Sequence, residues 1–209
     1  MDNNNNNKHI NGYMKCTSKK NKKNEYGNMW SLDIYRKHQN FSKEITESMS
    51  VISAIKSLLD KKILNLNEER KNCRIFVPGD GKRPYTSSVL SIFFNFKDIY
   101  CIDPKLDLTL LKKDQISTLN EKGIHLHNST IEEFVKYFNN SEDNKYNIVV
   151  NVHGHGPIND FYRSLNSPKI FVSLACCSDY GILKERKADF EIVDKYVFSD
   201  KNKVFVYIN

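Results

Sequence analysis

Between Arg74 and Ile208, short apolar runs alternate with segments of helical spacing, and this alternation restricts the fold more than any other feature of the chain. Arg74-Ile75-Phe76-Val77-Pro78 leads into Gly79-Asp80-Gly81, Thr86 to Phe96 has helical spacing, and Ile99-Tyr100-Cys101-Ile102 stops at Asp103-Pro104. That is a strand, turn, helix, strand unit of about thirty residues, the length of a right-handed βαβ crossover. The pattern predicts a further helix over Leu108 to Leu119, a strand over Ile124 to His127, a helix over Thr130 to Phe138, and strands over Asn147 to Asn151 and Ile170 to Cys177. Ile148-Val149-Val150 and Ile170-Phe171-Val172 are continuous rather than alternating, as in strands covered on both faces of a parallel sheet. Phe190 to Phe198 and Lys203 to Ile208 are separated only by Ser199-Asp200-Lys201-Asn202, too short for a crossover helix, so they are expected to pair antiparallel. The expected fold is α/β and Rossmann-like, with about five parallel strands closed by a C-terminal antiparallel hairpin.

Upstream, Ile45, Met49, Ile52, Ile55, Leu58 and Leu59 recur at three- and four-residue intervals, which makes Tyr26 to Asn72 a helical segment that packs on the sheet. Met1 to Glu25 contains the run Asn3 to Asn7 and six lysines against two acids, +4 of the chain's net +7. Such a stretch buries too little apolar surface to offset its ordering entropy, so residues 1–25 read as a disordered tail. It is a solvated leader, or a salt-sensitive arm for a polyanion. At 209 residues, with 39% hydrophobic, the rest is one domain over 26–209 that needs neither disulfides nor metal to form a core. No apolar run reaches the roughly 18 residues of a membrane helix. The start lacks the apolar stretch of a secretory signal, and the five cysteines follow no disulfide or zinc spacing. The expected compartment is the cytoplasm or nucleus.

Ligands of open parallel sheets bind outside the carboxyl ends of the strands, where strand order switches. Four places qualify. Gly79-Asp80-Gly81 lets the backbone turn sharply and admits a ligand to main-chain N–H groups; it is neither GxGxxG nor a Walker A loop. Asp103 stands 22 residues after Gly81, where nucleotide-binding βαβ units place an acid for the ribose diol. Asn151-Val152-His153-Gly154-His155-Gly156-Pro157 brings two imidazoles to the fourth strand's exit, as acid, base, metal ligand or substrate donor. Ser173 to Ser178, with Cys176 and Cys177, leaves the fifth strand; small buried cysteines are commonly packing groups. His125 and His127 repeat the two-residue spacing of His153 and His155, but two intervening strands would hold the pairs about 14 Å apart, too far to share an ion. No metal site is expected.

The run Arg74 to Asp103 resembles motif I and the following acidic position of class I S-adenosylmethionine-dependent methyltransferases, and the terminal hairpin resembles that fold's sixth and seventh strands. Val152-His153-Gly154-His155-Gly156, followed by Val172-Ser173-Leu174-Ala175-Cys176-Cys177, looks like the branch with a His-x-Cys-Gly type fourth strand and a Cys-Cys fifth strand, which includes the tRNA 2′-O-methyltransferase of the Trm-thirteen type. The match covers roughly residues 74 to 209. It implies S-adenosylmethionine as cofactor, with Gly79, Asp80 and Gly81 around its methionine part and Asp103 on the ribose. It also implies Ser129 or Thr130 beside the adenine, Asn151 to His155 facing the methyl, and His153 and His155 as base or orienting donor. His155 stands where the branch has cysteine, and Lys82-Arg83-Pro84 replaces a third glycine. The lack of an Asn/Asp-Pro-Pro-aromatic sequence after the fourth strand argues against adenine amino groups as acceptor. RNA is the favoured acceptor, with a partner subunit supplying recognition; the alternative is a non-catalytic S-adenosylmethionine- or nucleotide-binding module. A hydrolase would need a nucleophile elbow that the sequence lacks.

Overall fold

The computed structural model describes residues 41–61, 73–94, 96–138, 145–174, 183, 186–198 and 200–209. The expected tail, the rest of the N-terminal helical segment and Cys176-Cys177 lie outside the described residues. The chain order is α1 (Phe41–Asp60), β1 (Cys73–Pro78), α2 (Tyr85–Phe94), β2 (Ile99–Ile102), a 3-10 turn (Leu108–Leu110), α3 (Lys113–Glu121), β3 (Ile124–His127) and α4 (Ile131–Tyr137). It continues with β4 (Tyr146–Val152), α5 (Ile158–Ser164), β5 (Lys169–Leu174), β6 (Phe190–Val193) and β7 (Lys203–Ile208).

The strands form one seven-stranded sheet in the order β3-β2-β1-β4-β5-β7-β6. β1 to β5 are parallel, whereas β7 runs antiparallel to both β5 and β6. Strand order switches between β1 and β4, because β2 and β3 lie to one side and β4 and β5 to the other. β1 and β5 are buried along their whole lengths, which is why their sequences read as continuous apolar runs.

Successive residues of each strand supply opposite faces, so the sheet has two cores. Ile75, Val77, Cys101, Ile148, Val150 and Val172 pack with Ile52, Ile55 and Leu58 of α1 and Leu90 of α2. On the other face, Phe76, Val149 and Phe171 meet Phe134 of α4 and Phe161 and Tyr162 of α5. Phe76 is the hub of an aromatic cluster, stacked on Tyr100 at 5.2 Å and edge-on to Phe161 at 5.2 Å. Arg74 is 2% exposed; its Nε donates to Asn147 Oδ1 at 3.0 Å and its guanidinium lies over Phe138. The cation is thereby bonded and stacked inside the sheet.

Three expectations needed correction, each for a local reason. The helix over Leu108 to Leu119 is broken, because Asp107 caps the 3-10 turn through Thr109 N and α3 begins only at Lys113. The strand over Phe190 to Phe198 stops at Val193, because Asp194 folds the chain into a turn by accepting from Tyr196 N at 2.9 Å. No helix is expected from the sequence between the fourth and fifth strands, yet α5 occupies Ile158–Ser164.

Candidate functional site

The exit loops of β1 and β4 meet at the switch point, and their contact explains two glycines. A side chain on Gly79 would put its Cβ 2.4 Å from Gly154 Cα, so the two loops touch backbone to backbone. A Cβ on Gly154 would lie 2.5 Å from both Asn151 Oδ1 and Pro78 O. Asn151, fully buried on β4, fixes this arrangement: its Oδ1 accepts from Gly154 N at 2.9 Å and its Nδ2 donates to Ser173 Oγ at 3.3 Å. Asn151 therefore shapes the β4 exit and ties it to β5.

Above this contact opens a cavity of about 530 Å³, within the size range of small-molecule sites. Its walls come from the N-terminal turn of α1 (Lys43, Glu44), the β1–α2 loop (Gly79 to Arg83), Tyr85 and Thr86 of α2, Lys105 and Leu110 beyond β2, Val152 at the end of β4 and His153 just beyond it. Gly81 has φ +86, a left-handed conformation that favours glycine, and nothing lies within 4 Å of where its Cβ would be. Its open side is thus available to a ligand.

Asp103 sets the Gly81 turn. Its Oδ2 accepts from Gly81 N at 2.7 Å and its Oδ1 from Lys105 N at 2.7 Å, while Asp107 N donates to Lys82 O at 3.0 Å. The Gly81 and Asp107 bonds lock the loops after β1 and β2 together, and the Lys105 bond braces the loop after β2. Each Asp103 oxygen retains acceptor capacity for a further hydroxyl.

Asp80 lines the cavity and also caps α2. Its carboxylate turns into the start of α2, accepting from Thr86 N at 2.7 Å, Ser87 N at 3.0 Å and Ser87 Oγ at 2.6 Å. Two N–H groups of the helix start are thereby satisfied. Burial pushes the Asp80 carboxyl up to about 6, although the Ser87 and Thr86 bonds favour its charged form. Thr130 is also engaged as a helix cap, its Oγ1 accepting from Glu133 N at 3.2 Å. Ser129 Oγ is buried and has no hydrogen-bond partner among the described residues.

Of the residues singled out from sequence, Gly79, Asp80, Gly81 and His153 line the cavity, and Asp103 is bonded to Gly81. His155 is exposed and lies outside the lining, as do Ser129 and Thr130. His125 and His127 sit on β3 with β2 and β1 between them and β4, so they are remote from His153, as the strand-order argument required. They stack on Tyr100, at 4.8 Å and 5.8 Å, and burial lowers the His127 imidazole.

Side chains of the site without a role assigned from the sequence include Lys43, Lys105, Tyr85 and Glu47. Glu47 is the legible case, because it is the only charged residue between Ile45 and Ile55. A lone acid inside an apolar helical stretch signals a buried partner. The cationic lining of Lys43, Lys82, Arg83 and Lys105 is opposed by Glu44 and the inward-turned Asp80, which favours anionic groups in the cavity.

The residues accommodate the cofactor that the sequence resemblance implies: Gly81 offers an open backbone, Asp103 stands beside it, and the cations suit a carboxylate. In comparisons with known proteins, no family model, no curated protein and no solved structure matches the chain. Among the described residues no group of three or more His, Cys, Asp or Glu is placed to hold a metal ion, and no helix is long and apolar enough to cross a membrane.

Proposed function

We propose that this chain is a class I S-adenosylmethionine-dependent methyltransferase acting on an anionic acceptor, with RNA the acceptor class favoured, in the cytoplasm or nucleus. One observation carries the reading. The open Gly81 turn lines the cavity at the β1/β4 switch point, and the buried Asp103 carboxylate behind the lining holds that turn, the pairing from which the sequence resemblance starts. The reversed β7 beside β5, with β6 at the edge, fits the same resemblance.

The cofactor supplies an already activated methyl group. The chain's contribution is alignment, which suffices for much of the rate when donor and acceptor are held in line. Gly81 and Asp103 would fix the nucleoside end, and Lys43, Lys82, Arg83 and Lys105 would hold carboxylate or phosphate oxygens. His153 lines the cavity wall and would take the proton of an acceptor hydroxyl held there. A partner subunit would supply acceptor selection; full activity of a monomer on naked RNA would remove that part of the reading.

A second reading, a non-catalytic binding module, is favoured by the Gly79–Gly154 contact, which fills one backbone approach with the protein's own loop. The two are separated by incubating the protein with labelled S-adenosylmethionine and cellular RNA. Label transferred to RNA by the wild type and lost in Gly81→Val supports the enzyme, whereas cofactor binding with no transfer to any acceptor supports the module.

A further inference from the structure

Glu47 lies on the face of α1 that packs against the sheet, and none of its side chain is exposed. A carboxylate in that position is costly unless a cation or donor meets it. Lys43 Nζ stands 3.9 Å from Oε1, one turn back toward the exposed end of the helix. His153 Nε2 is much closer, at 2.8 Å from the same oxygen. Neither Glu47 oxygen nor Nε2 makes an aligned hydrogen bond among the described residues, so the 2.8 Å approach leaves each as the other's nearest polar partner.

The backbone independently aims the ring. His153 has φ +57, the one non-glycine residue with positive φ among the described residues, in a region that side-chain-bearing residues rarely adopt. It is held there by Val152 at the buried end of β4 and by Gly154, wedged against Asn151 Oδ1 and Pro78 O. The Nε2 edge is buried against α1, while 24% of the side chain remains exposed and the residue lines the cavity. Strained residues persist where the surroundings over-determine them, and they cluster at functional sites.

We propose that Glu47 is the positioning residue of His153: its carboxylate keeps the neutral ring's proton on Nε2, leaving the Nδ1 lone pair to face the cavity. The two ring nitrogens are chemically distinct, and the partner of one decides the role of the other. With Nδ1 as acceptor, His153 takes a hydrogen bond, or a proton, from a hydroxyl or amino group of a bound ligand. The proton moves to Nδ1, and the resulting imidazolium faces the Glu47 carboxylate. Glu47 itself touches no ligand. Its use in methyl transfer rests on the proposed methyltransferase reading; the pairing itself does not.

The test is nitrogen-15 NMR of the imidazoles in the wild type, Glu47→Gln and Glu47→Leu, with His153 assigned by the signal missing from His153→Gln. A short unstructured histidine peptide gives the reference tautomer ratio. The expected result is a wild-type ring held as the Nε2–H tautomer at least tenfold over Nδ1–H, falling toward the peptide ratio in both Glu47 variants. An Nδ1–H ring in the wild type, or a wild-type ratio equal to the peptide's, overturns the assignment even if the variants fail to fold. A parallel calorimetric titration with S-adenosylhomocysteine separates the two claims. A fixed tautomer without binding removes the methyltransferase reading and leaves the pairing, whereas binding with an unfixed tautomer removes the pairing alone.

Discussion

At the scale of single residues, the glycines of the site divide by what surrounds them. Gly154→Ala drives a Cβ to 2.5 Å from a carbonyl and a side-chain oxygen, neither of which can retreat without opening the β4 exit. Gly81→Ala meets no atom within 4 Å and suffers only the left-handed backbone. Chemical denaturation should therefore show Gly154→Ala losing more than about 2 kcal/mol, and Gly81→Ala about 1 kcal/mol. Equal losses would mean that the loops are not in contact. Asp80 gives a second prediction, because its carboxyl rises from 3.8 to about 6 on burial. Between those values the folded chain binds more protons than the unfolded chain. The Asp80 contribution is therefore fully present below about pH 4 and is lost as pH rises through about 6. Measured against wild type, Asp80→Asn should remove this decline from the unfolding free energy between pH 4 and 6; an unchanged slope would contradict the buried carboxylate.

At the scale of elements, α1 carries both a packing face and one wall of the cavity. Ile55 is fully buried against the sheet, so Ile55→Ala should cost about 2–5 kcal/mol in equilibrium unfolding. A loss below about 1 kcal/mol would show that α1 is not docked as described. The apolar face of α1 was readable because five of the six periodic residues, Ile45, Met49, Ile52, Ile55 and Leu58, are buried, and Leu59 packs at the margin. β2, β3 and β7 were readable to the residue, since short strand-like runs of four to six residues flanked by turn formers leave little choice of boundary. α5 was not, because its seven residues follow Gly156-Pro157, and apolar Ile158, Phe161 and Tyr162 span too short a window to establish a period. The strand that ends at Val193 was overextended for a related reason. Tyr196, Val197 and Phe198 are apolar, but the Asp194 turn outweighs their strand propensity.

At the scale of the whole molecule, sequence spacing located the site better than it assigned roles within it. Gly81 and Asp103 stand together because a βαβ unit returns the second strand beside the first, a consequence of connection length alone. Asp80, Asn151 and Thr130 have the right residue types for ligand contact, yet their polar atoms satisfy helix starts and a turn. Glu47 stood out as a lone acid in an apolar stretch, but its place beside His153, like that of Lys43 in the cavity wall, was beyond reach, since no local pattern states which end of a sheet an N-terminal helix will cover. The cationic cavity wall leads to a further expectation: Lys82→Glu with Lys105→Glu should weaken binding of a short RNA at least tenfold, with a shallower salt dependence, while leaving the melting temperature unchanged. Equal RNA binding by this variant and the wild type would place any RNA surface elsewhere. The central claim is that the β1/β4 switch point is an S-adenosylmethionine site organised by Asp103, and its most direct test is calorimetric titration of S-adenosylmethionine and S-adenosylhomocysteine into wild type and Asp103→Ala, with NAD and ATP as controls. The account predicts micromolar binding of both sulfur compounds that is lost in the variant; absence of binding by the wild type, or equal binding by the two proteins, would contradict it.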